Sequence, residues 1–130
     1  MTNDEIRDFI QQAIDENSVM LFMKGTPEQP ACGFSARTSA VLNTMNVRYA
    51  ALDILPDPRI RQELSGLSEW PTIPQLFIEG KLVGGHDIVM EMYEDGSLAE
   101  ALGVEQPEAV APVEASVGQA APLGIENRLN

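Results

Sequence analysis

The sequence predicts an α/β domain, a four-stranded mixed sheet flanked by helices in the order αβαβαββαα. Three observations predict it. Val19-Met20-Leu21-Phe22-Met23 is an unbroken apolar run of strand length, as expected of a strand covered on both faces. A segment of helical period separates it from a second short strand, which implies a parallel βαβ unit. Two later strand-like runs meet at Gly80 and imply an antiparallel hairpin.

Each element has its own local signal. Thr2 followed three residues later by Glu5 reads as a capping box, and Ile6, Phe9, Ile10 and Ala13-Ile14 recur at helical spacing, predicting a first helix over 3–16. Lys24-Gly25 closes the first strand. Pro27 and Pro30 exclude regular structure from the loop that follows. From Cys32, the residues Phe34, Ala36, Ala40-Val41 and Met45 predict a second helix to about Asn46, and Arg48 to Leu52 a second strand. Asp57-Pro58 is a cap followed by proline at the first helical position, opening a third helix to about Leu67. Strands over 75–79 and 81–83 precede the break at Gly84-Gly85, and helices over 86–95 and 97–102 close the domain.

At 130 residues the chain suits one domain, set at 1–103, with a tail over 104–130. The tail holds no aromatic residue, three prolines and five alanines without a sustained period, so it is expected to be disordered. Twenty acidic residues against eight basic ones give a net charge of −12. That surface repels phosphate backbones and anionic lipid headgroups, which argues against nucleic acid and membrane as partners. The start lacks a basic n-region and apolar core, and one cysteine excludes an internal disulfide, so the expected compartment is the reducing cytoplasm.

Cys32 carries the chemistry. A lone cysteine is most often a small buried hydrophobe. This one follows a strand and a proline-containing loop and opens a helix, where unpaired N–H groups face its sulfur and favour thiolate. Lys24 could add a nearby cation. Ser35 lies one helical turn on, where a second thiol would close a disulfide, and a hydroxyl can only hydrogen-bond.

Lys24-Gly25-Thr26-Pro27, Pro30, Cys32-Gly33-Phe34-Ser35, Ile60-Arg61, Trp70-Pro71-Thr72-Ile73-Pro74 and Gly84-Gly85-His86-Asp87 resemble, in order and spacing, the signature of the CGFS-type monothiol glutaredoxins. The resemblance covers about residues 3–103. It implies the thioredoxin-like (glutaredoxin) fold and a site for glutathione. In that site Lys24 and Arg61 form a cationic pocket, Arg61 taking the glycine-end carboxylate, and Ile73 before a cis Pro74 offers its backbone. Gly85, His86 and Asp87 receive the γ-glutamyl end, with Asp87 near its ammonium group. The usual residue at position 86 is Cys or Ser, so His86 departs from the pattern. It would donate in their place, narrow the pocket, or simply start a surface helix. Phe34 either packs on the sheet or, by the resemblance, lies near a dimer or partner surface.

An ordinary [2Fe-2S] cluster takes four ligands. Two chains supply two thiolates, and two bound glutathiones complete the set. This agrees with what the resemblance implies, a homodimer bridged by the cluster through Cys32, also pairing with a BolA-like protein and passing the cluster to iron–sulfur acceptor proteins. Two alternatives stand beside this carrier. One is a glutathione-dependent thiol-disulfide oxidoreductase using Cys32 as nucleophile, expected to be weak at most because Ser35 cannot resolve a mixed disulfide. The other is a non-catalytic thioredoxin-like adaptor.

Overall fold

The computed structural model describes residues 1–106. Helix α1 (Asn3–Glu16) leads into β1 (Val19–Met23), and α2 (Gly33–Thr44) crosses to β2 (Ala50–Asp53). Then follow α3 (Pro58–Ser68), β3 (Gln75–Ile78), β4 (Lys81–Gly84), α4 (His86–Asp95) and α5 (Ser97–Leu102). The sheet order is β2-β1-β3-β4, with β1 parallel to β2 and antiparallel to β3, and with β3 antiparallel to β4. The expected order and mixed sheet are both present.

The apolar run of β1 explains the layering. Alternate side chains of a strand face opposite ways. Met20 and Phe22 pack with Ile6, Ile10, Ile14 and Leu64 from α1 and α3. Val19, Leu21 and Met23 pack with Val41, Leu42, Val89, Tyr93 and Leu98 from α2, α4 and α5. The capping box of α1 forms as read, Thr2 Oγ accepting from the Glu5 N–H at 3.1 Å and the Glu5 carboxylate from the Thr2 N–H at 2.7 Å. Its buried stripe is narrower than the sequence suggests, because Phe9 remains 46% exposed at the rim.

Two boundaries move. Helix α2 stops at Thr44 because Met45 and Asn46, the latter at φ +58°, turn back on it. Strand β2 begins two residues later than expected and runs to Asp53, since its partners in the parallel ladder are Met20 to Met23. Past residue 103, Val104 still packs on the core and donates its N–H to the Ala99 carbonyl, and Gln106 Nε2 donates to the Tyr93 carbonyl. The rest of the expected tail, 107–130, lies outside the described residues.

One ion pair ties α1 to α3, the helix carrying Arg61. Arg7 Nη2 lies 2.8 Å from Glu63 Oε1, whose residue is 7% exposed. Removing the cation would leave a buried carboxylate without its partner, so Arg7→Ala is expected to cost about 1 kcal/mol, reduced by the half-exposure of Arg7. Urea denaturation with an unchanged m-value would register it, and an unshifted midpoint would show the pair to be neutral.

Candidate functional site

Cys32 is the N-cap of α2. Its sulfur accepts from the Ser35 N–H at 3.4 Å and lies 3.4 Å from Ser35 Oγ. Ser35 is fully buried, and its oxygen accepts from the Lys24 N–H at 3.0 Å. That bond leaves the serine proton free to point at the sulfur once thiolate forms. Burial pushes the Cys32 thiol up, but the Ser35 hydroxyl, the Ser35 and Phe34 N–H groups and the Lys24 charge outweigh it and hold the thiol below its ordinary value.

The loop ahead of Cys32 is more ordered than its prolines imply. Thr26 and Gln29 exchange both backbone hydrogen bonds, at 3.2 and 3.1 Å, and Gly25 bridges Pro30. Proline within a two-residue turn is compatible with this closure, because neither Pro27 nor Glu28 supplies a bond to it. Asp53 Oδ1 anchors the loop by accepting from the Gly25 N–H at 2.9 Å and from the Leu55 N–H at 3.0 Å.

Beside α2 opens a cleft of about 360 Å³. Ile73, Gly85, His86 and Asp87 line it together, joined by Phe34, Trp70, Thr72 and Ile88. The Ile73–Pro74 peptide is cis. Gly85 must lack a side chain here, since a Cβ would stand 3.1 Å from Trp70 Nε1 and 3.3 Å from the Pro74 carbonyl oxygen. Cys32, Lys24 and Arg61 do not line the cleft. Arg61 is exposed and flanks the same loop, its Nη2 donating to the Pro71 carbonyl at 3.4 Å. Phe34 does not pack on the sheet; it is 54% exposed and meets the His86 ring at 4.9 Å.

The glutaredoxin family's sequence model matches residues 19–83. Over 102 residues the chain is 49% identical to a probable monothiol glutaredoxin 2 of Rickettsia prowazekii, covering 78% of this chain and 95% of that one. It is 50% identical over 91 residues to glutaredoxin 4 of Escherichia coli, covering 70% and 79% respectively. The chain belongs to the monothiol glutaredoxins.

Solved structures agree with the fold. A monomeric truncated mutant of Trypanosoma brucei 1-C-Grx1 superimposes with a TM-score of 0.67 at 42% identity, over 79% of this chain and 90% of that one. A buckwheat glutaredoxin–glutathione complex gives 0.69 at 27% identity, over 78% and 90%.

Two residues of this glutaredoxin, one in the cleft and one behind it, escape the sequence reading of the site. Trp70 appears there only as part of a motif, yet its indole Nε1 is buried at the cleft and without a hydrogen-bond partner among the described residues. Arg37 has no motif at all. Its Nε–H donates to His86 Nε2 at 3.3 Å, and its guanidinium carbon stands 5.5 Å from the Phe34 ring centre. Helical spacing along α2 offers no signal for a contact with a residue 49 positions away.

The electrostatics of Cys32 give a pH prediction. A lowered pKa means more thiolate at neutral pH, so iodoacetamide should alkylate Cys32 with a profile rising at lower pH than that of a free thiol, near about 8.5. Ser35→Ala removes a group that favours thiolate, so its profile should shift to higher pH and the rate at pH 7 should fall several-fold. Superimposable profiles would show that the hydroxyl plays no part.

Proposed function

We propose that this glutaredoxin binds glutathione in the cleft beside Cys32 and, as a homodimer, holds a [2Fe-2S] cluster for delivery to iron–sulfur acceptor proteins. The observation that carries the reading is one activated, partly exposed thiol with a buried serine where a second thiol would stand. An intramolecular disulfide cycle is closed to such a site, whereas thiolate ligation is open to it. The chain has a single cysteine, so the other thiolates of a cluster would come from a second chain and from glutathione.

Glutathione suits the cleft and its surroundings chemically. Arg61, beside the cleft at the Pro71 carbonyl, is a cation for its glycine-end carboxylate, and Lys24 adds a second cation to the region. The Ile73 backbone makes no hydrogen bond to the described chain and is free to pair with the ligand's peptide groups. Asp87 offers a carboxylate for the γ-glutamyl ammonium. The complex of the buckwheat relative supports the same ligand. A BolA-like protein would replace one subunit in a mixed dimer. The cytoplasm is the compartment proposed; among the described residues no helix is long and apolar enough to cross a membrane.

Anaerobic reconstitution with iron, sulfide and glutathione tests the reading. The expected product is a brown dimer with about one cluster per two chains and two glutathiones per cluster. A stable cluster in protein stripped of every small thiol would sink the scheme.

A further inference from the structure

His86 is held on both of its ring nitrogens. Arg37 Nε–H can only donate, so His86 Nε2 is the acceptor at 3.3 Å and the ring proton resides on Nδ1. Nδ1–H then donates to Asp87 Oδ1 at 3.0 Å. The ring is confined, its side chain 17% exposed and its centre 4.9 Å from that of the Phe34 ring, inclined at 50°. Arg37 is confined as well, lying over Phe34 with its terminal nitrogens 3.6 and 3.7 Å from where a Cβ on Gly33 would be. The Asp87 side chain, by contrast, is 99% exposed, and among the described residues the imidazole is the sole side chain that bonds it.

We propose that Arg37 and His86 are positioning residues that act through each other, fixing the Asp87 carboxylate at the cleft mouth for the ammonium group of the ligand's γ-glutamyl end. The inference rests on the glutathione reading above. It also gives the imidazole at position 86 a role that the usual Cys or Ser could not fill, because neither side chain is long enough to bridge Arg37 and Asp87. The carboxylate is held in place before the ligand arrives, so less side-chain freedom is lost on binding.

Calorimetric titration tests this with two ligands, reduced glutathione and its analogue carrying a glutaryl group in place of γ-glutamyl. The analogue keeps the carboxylate and lacks the ammonium. Arg37→Ala is expected to weaken glutathione about threefold, the scale of a partly exposed ion pair, and to leave the analogue unchanged. His86→Ser, which also changes the cleft lining, should weaken glutathione more than the analogue, and Arg37→Ala should add nothing in the His86→Ser background. The second variant keeps the test decisive if Arg37→Ala folds poorly.

A plain attractive role for the guanidinium predicts the reverse order, since the analogue carries one more net negative charge and would lose more. Equal weakening of both ligands, greater weakening of the analogue, or no change in either would overturn the relay. Failure of the unaltered chain to bind either ligand is a different result: it overturns the glutathione reading itself and the relay with it.

Discussion

Cys32→Ser is expected to emerge from reconstitution colourless, monomeric and fully folded. The sulfur is the only thiolate a chain can offer, so its loss would remove both protein ligands of the proposed shared cluster at once. The fold should not notice. Cys32 sits at the N-cap of α2 with extended backbone, and serine is among the residues best suited to that position. Its hydroxyl can accept from the Ser35 N–H as the sulfur does. Melting should therefore stay level or rise by a degree or two, while the visible absorbance falls to zero. Surviving absorbance would place the cluster elsewhere, and a collapse of the helical circular dichroism would make Cys32 a structural residue.

Gly25→Ala should be the most damaging single methyl group in the site. Gly25 has φ +83°, and a Cβ there would stand 2.4 Å from the Gln29 carbonyl oxygen and 2.6 Å from the Ala31 nitrogen, both backbone atoms of the same closed loop. Left-handed backbone costs a side chain about 1 kcal/mol. Relieving the clash would also open the Gly25–Asp53 and Ala31–Lys24 hydrogen bonds, at about 1 kcal/mol each. A loss of roughly 3 kcal/mol is expected in urea denaturation. Gly80→Ala supplies the control. Gly80 has φ +80° but nothing within 4 Å of a Cβ, so it should show the backbone cost alone, about 1 kcal/mol. Equal losses at the two glycines would mean that the loop yields freely.

The architecture was legible wherever a single segment carries its own physics. The β1 run, the α1 capping box and the Asp57-Pro58 start are local patterns, and each appears where the sequence puts it. The β2 boundary was not, because it depends on which residues of β1 stand opposite, and that register is a tertiary fact. The same division runs through the site. The placement of Cys32 was legible because a helix start is local, and the resemblance picked out Ile73, Gly85 and Asp87, which the fold gathers around one cleft. Arg37 and the Trp70 indole were not, because what they do is decided by how α2 and the 70–74 loop come to rest against α4. His86 lies between the two cases. The sequence marks it as unusual, and only the packing shows what holds it.

Asp53 makes the loop ahead of Cys32 a divided unit. One oxygen on β2 secures the Gly25 N–H, the loop's closure holds Lys24, and the Lys24 N–H holds Ser35 against the sulfur. Residues 24–35 are therefore not portable by themselves. Grafted into another member of the fold, they would reproduce this thiol only if the host carried an acceptor at the end of its second strand. Chimeras that move the segment with and without that aspartate would behave as two different cysteines on one backbone.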